Sequence, residues 1–125
     1  RTAGRTAPMH RDAIPSALAC LLFVLAGCEA AAGSSAGEAL FSNQGCTVCH
    51  GSDGAGTTFG PRLLGKKAFW TREKLVEYLK NPVAYAETDK RLSEQARKFT
   101  LPMQRFDKLT PEELGAIADY VLSMP

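Results

Sequence analysis

Cys46-Thr47-Val48-Cys49-His50 puts two thiols two residues apart and an imidazole immediately after the second. That spacing is the attachment pattern for a c-type haem. The two sulfurs can add across the two vinyl groups of one porphyrin, and the next residue's ring nitrogen is then carried beneath the iron as its proximal ligand. Two other chemistries use Cys-x-x-Cys: a redox-active dithiol and half of a zinc site. A dithiol of the thioredoxin kind wants a strand-helix-strand context, whereas here a helical pattern precedes the motif and a glycine-rich stretch follows it. A structural zinc site needs four ligands. The chain has four Cys and two His, and Cys20, Cys28 and His10 fall in or beside a segment that reads as a processed leader.

That leader is the run from Ile14 to Ala26, apolar apart from Pro15 and Ser16 and preceded by Arg11. It is too short for a permanent bilayer span and reads as an export signal, with Met9 the expected start and residues 1–8 carrying no fold signal. It ends Leu25-Ala26-Gly27-Cys28, similar to a bacterial lipoprotein processing box, in which cleavage before Cys28 frees that thiol for a diacylglyceryl group. The alternative is an ordinary secretory signal with a spare thiol. Residues 1–27 are therefore expected to leave, and residues 28–36, rich in Ala, Gly and Ser, to form a flexible tether. Ten such residues give an r.m.s. reach of roughly 17 Å, which holds the domain over residues 37–125 close to a membrane on the exported, periplasmic side.

Processing also settles the charge. It removes Arg1, Arg5 and Arg11 of fifteen basic residues and Asp12 of thirteen acidic ones, leaving twelve of each. A side-chain charge of zero lacks the basic footprint of a nucleic-acid binder. With Cys46 and Cys49 given to haem, Cys28 to lipid and Cys20 lost with the signal, no free thiol remains.

The elements that must position the pentad read as short helices joined by irregular loops, without period-two strands or internal repeats. Ser35 and Glu38 have capping-box spacing, and Gly37, Leu40, Phe41 and Gln44 then share one helical face leading into the motif. Thr71 can cap a helix through about Lys80, with Leu75, Tyr78 and Leu79 turned inward, Asn81 at its end and Pro82 stopping it. A short helix is expected from Glu94 to Phe99, with Glu94 and Lys98 spaced for an ion pair. The last helix is the clearest. Thr110 is its N-cap, Pro111 its first residue, Glu113 closes a capping box, Leu109 and Leu114 form a staple, and Leu114, Ile117, Ala118 and Val121 make the apolar stripe. Tyr120, beside that stripe, is placed to meet Phe41. A domain of this size has a thin core, and a buried haem adds apolar surface that side chains alone do not supply.

The runs His50-Gly51-Ser52-Asp53-Gly54-Ala55-Gly56 and Gly60-Pro61-Arg62-Leu63-Leu64-Gly65, together with the pentad, resemble class I cytochromes c over roughly Gly37 to Leu122. The resemblance implies an all-α cytochrome c fold wrapped around one haem c held through Cys46 and Cys49, with the first and last helices crossing. It implies that Pro61 offers its carbonyl to the second ring nitrogen of His50, and that the iron is ligated by His50 and a distal methionine. Met103, in Leu101-Pro102-Met103 ahead of the last helix, stands where that family places its thioether. Met124, at the end of the chain, is the poorer candidate, and a weaker donor or an open distal position are the remaining options, since His50 is the sole histidine after processing. Trp70, Arg62, Lys66 and Lys67 are candidates for the haem propionates, with ordinary packing or a positive rim facing an acidic partner as alternatives.

With both axial positions filled, no small-molecule substrate is expected at iron. The implied job is one-electron transfer between redox protein partners, met transiently over less than about 1,200 Å² or within a larger complex. The chain is thus expected to be an electron carrier, not an enzyme, tethered to a membrane. The other readings are the haem subunit of a larger oxidoreductase and a sensor or peroxidase-like protein with a labile distal ligand.

Overall fold

In the computed structural model of the protein, residues 29–125 are described, with side chains from Ser35 onward. The expected leader, Cys20 and Cys28 lie outside those residues. The described residues build six helices: α1 (Glu29–Asn43), α2 (Cys46–His50), α3 (Arg72–Lys80), α4 (Pro82–Glu87), α5 (Lys90–Ala96) and α6 (Pro111–Ser123), with a 3-10 turn at Lys66–Ala68. Among the described residues there is no strand, and no helix is long and apolar enough to cross a membrane.

Helix α1 packs across α6. The close approach depends on Gly37, where a Cβ would overlap the Ala116 carbonyl oxygen and the Tyr120 Cβ. Next to this crossing, the Phe41 and Tyr120 rings meet edge to face, 5.4 Å between centroids and 62° between planes. Such a pair contributes about 0.5–1.5 kcal/mol beyond its buried area. Phe41, Leu114 and Ile117 are the largest side chains fully withdrawn from solvent among the described residues.

The last helix forms as its sequence dictates. The Glu113 backbone N–H donates to Thr110 Oγ1 at 3.2 Å and the Thr110 N–H donates to Glu113 Oε2 at 2.8 Å, so the box is closed from both sides. Thr71 accepts from the Lys74 N–H and starts α3, which buries Leu75 and Leu79. Arg72 at the head of α3 donates to both Asp119 oxygens, at 2.9 and 3.1 Å, across the bare backbone of Gly115 on α6.

Three local expectations are corrected and one, at Pro82, is extended. Ser35 does not cap α1, which runs back to Glu29 and takes residues of the expected tether into the helix. Ala30, Ala31 and Ala32 are strong helix formers, and their propensity outweighs the cap spacing. Pro82 does more than stop α3: Asn81 ends that helix and its side chain accepts from the Ala84 N–H to cap α4, where Pro82 fills the first position without needing an N–H. The next helix is Lys90–Ala96 and not Glu94–Phe99, because Asp89 takes the N-cap, accepting from the Arg91 and Leu92 N–H groups. Glu94 accordingly pairs with Lys90, at 3.8 Å, and not with Lys98.

Candidate functional site

The pentad is helix α2, entered through Gly45 in the left-handed region (φ 75°) and left through Gly51 (φ 80°). A five-residue helix has carbonyls without partners at its end, and the loop that follows supplies them. The Gly51 N–H donates to the Thr47 carbonyl, the Gly56 N–H to the His50 carbonyl at 2.8 Å, and the Thr57 hydroxyl to the Cys49 carbonyl at 2.7 Å. Gly60 then lies against Cys49 so closely that a Cβ would sit 2.7 Å from the Cys49 carbonyl oxygen. The glycine-rich stretch therefore wraps the back of the motif and delivers Pro61 to its histidine.

His50 is buried, 7% exposed. Its Nδ1–H donates to the Pro61 carbonyl oxygen at 2.8 Å. With the proton fixed on Nδ1, Nε2 carries the lone pair of a neutral ring, the form that ligates a metal. Burial, the largest influence, pulls the imidazole below its ordinary range against the opposing effect of the Pro61 contact. Proline serves here because its carbonyl has no competing N–H of its own to place.

Cys46, Cys49 and His50 line one cavity of about 430 Å³, together with Met103. Its walls are largely apolar, with Phe59, Leu92, Phe99 and Phe106 among them. This is the size range of cofactor pockets. An inner recess of about 60 Å³ shares Cys46, His50, Pro61 and Met103 with it and reaches Lys66, Trp70 and Arg91.

The thiol chemistry separates the competing readings. Both sulfurs are free of a disulfide. Burial pushes the Cys46 thiol up to about 11, the opposite of the depressed value that an exchange-active dithiol requires. Among the described residues, no three His, Cys, Asp or Glu side chains gather as a zinc cage would need. Two free thiols, an imidazole in the ligating tautomer and a thioether on one apolar cavity fit a covalently held haem.

The model of the cytochrome c family matches residues 34–125. The chain belongs to the cytochrome c family. This cytochrome c thus takes the all-α cytochrome c fold, and membership implies covalently bound haem c and electron transfer as its general role. No curated protein and no solved structure matches it.

The segment that follows Met103 on the cavity wall is anchored twice. The Gln104 side-chain amide donates to the Gln44 carbonyl at 3.0 Å, and the Phe106 N–H donates to the Leu79 carbonyl at 2.9 Å. Met124 is buried elsewhere, its sulfur against Gly54, and lines neither cavity. Of the four residues considered for propionates, Lys66 and Trp70 line the inner recess, whereas Arg62 and Lys67 do not. Trp70 stacks at a tilt on Tyr78 and Tyr85, at 5.1 and 5.8 Å. Sequence reasoning missed Arg91, whose guanidinium lies 5.7 and 5.5 Å from the ring centroids of Phe69 and Trp70 while contacting Asp89 at 3.5 Å. Its signal is faint in sequence, an arginine two residues after an Asp cap.

Proposed function

We propose that this cytochrome c is a monohaem electron carrier of the class I kind. Cys46 and Cys49 would bind the cofactor as thioethers, and His50 and Met103 would supply its two iron ligands from the protein. The observation that carries the reading is the 2.8 Å bond from His50 Nδ1 to the Pro61 carbonyl, which presets the imidazole as a ligand on the cavity that Met103 also lines. When bound, the haem supplies a one-electron couple whose reduction potential a Met/His ligand pair raises.

The chain's own residues do the rest. Pro61 fixes the His50 tautomer and ring orientation. Gln104 and Phe106 anchor the segment that follows Met103. Phe59, Phe99 and Phe106 give the cavity apolar walls, a setting in which neutral donors suit a centre whose charge changes by one. Val48, Phe59 and Leu101, 69%, 55% and 59% exposed, line the same cavity and give redox partners an apolar approach to it.

The same reading includes export and a lipid anchor at Cys28, supported by the Leu25-Ala26-Gly27-Cys28 box. Mass spectrometry of the membrane-purified protein tests both parts. The expected product starts at acylated Cys28 and carries one haem across Cys46 and Cys49. A chain with unmodified Cys46 and Cys49 refutes the carrier reading, and one retaining residues before Cys28 refutes the anchor.

A further inference from the structure

Among the described residues, no carboxylate lines either cavity, and the only charged side chains on their walls are Lys66 and Arg91, both in the inner recess with His50. Arg91 is engaged by Asp89 and two aromatic faces. Lys66, among the described residues, is within ion-pair reach of no carboxylate. Its backbone is fixed: Gly65 turns through the left-handed region (φ 70°), and the Lys66 carbonyl accepts from the Phe69 and Trp70 N–H groups at 2.9 and 3.0 Å. Lys67, the next residue, is exposed and lines neither cavity.

We infer that Lys66 sets the electron affinity of the site, by holding an ammonium charge that no protein carboxylate among the described residues pairs with in the recess that it shares with the His50 imidazole. This rests on the reading of His50 as a haem ligand. Loss of an electron adds one positive charge to the centre, and a nearby like charge that is only partly screened opposes it. Lys66 therefore favours the reduced state. The same charge is felt at His50, whose ring is depressed by burial and further by Lys66. The cost of the arrangement shows on Lys66 itself, which is pushed below the ordinary lysine range by burial and by Arg91 and Arg62.

The test is spectroelectrochemical titration of the haem-loaded protein at pH 7 and fixed ionic strength, comparing Lys66→Gln, Lys66→Arg and Lys67→Gln. Lys66→Gln is expected to move the oxidised-to-reduced ratio at a given applied potential about tenfold toward oxidised, equivalent to ~59 mV for a one-electron couple. Lys66→Arg should stay close to the parent and Lys67→Gln within about twofold of it, with the axial-ligand spectrum unchanged in all three. If Lys66→Gln perturbs the spectrum, Lys66→Met makes the same comparison. An unchanged ratio in the neutral Lys66 variants, or an equal shift in Lys67→Gln, overturns the inference while leaving the carrier reading intact. A protein without covalent haem is recognised before any titration, and it overturns the carrier reading on which the inference stands.

Discussion

Gln104 and Gln44 are 60 residues apart, and a single hydrogen bond, Nε2 to carbonyl oxygen at 3.0 Å, joins them. It ties the residue after Met103 to the end of the helix that leads into the attachment motif. The two proposed iron ligands thus sit on segments that are linked directly, and not only through the core.

That link is testable by Gln104→Ala. Loss of one such bond costs about 0.5–1.5 kcal/mol of stability, a modest change in a guanidinium melt. The larger effect falls on ligand retention, because the Met103 loop then keeps only the Phe106 anchor. Exogenous imidazole should displace the thioether several-fold more readily than in the parent. Equal displacement, at equal stability, shows that the bond does not position Met103.

Gly37→Ala tests the helix crossing. In an exposed helix, alanine is favoured over glycine by about 1 kcal/mol. Here the added methyl meets the Ala116 carbonyl oxygen, so α1 and α6 must separate. A net loss of roughly 1–3 kcal/mol is expected, the usual cost of overpacking. A stabilised variant in denaturant unfolding contradicts the close crossing.

The alkaline side of the stability curve is set in part by Tyr78. Burial raises its phenol above the ordinary value, with Arg91 opposing. A group whose folded value is raised contributes stability that is complete below its unfolded value and is lost as pH rises through the folded one. The parent should lose stability above about pH 10, and Tyr78→Phe should lose less over the same range. Identical slopes in pH-dependent unfolding would falsify this role for Tyr78.

What the sequence discloses is what is local or carried by a motif. The Thr110-Glu113 box and the Thr71 cap involve residues within one turn, so spacing alone identifies them, and Pro61 follows from the family resemblance. Ser35 misleads because cap spacing occurs by chance inside an alanine-rich run, where propensity continues the helix past it. The Glu94 ion pair shifts because Asp89 caps the helix and starts it at Lys90, one turn ahead of the expected Glu94. Gln44 with Gln104, Leu79 with Phe106 and Arg91 over Trp70 are joined only by the fold. Nothing in a pattern of types at fixed spacing distinguishes Gln104 or Arg91 from any other polar surface residue.

Met103→Ala in the haem-loaded protein tests Met103 as the distal ligand most directly. The oxidised parent should show a sulfur-to-iron absorption band in the red region, and the variant should lose that band and fall in reduction potential. A variant whose spectrum and potential match the parent contradicts the assignment.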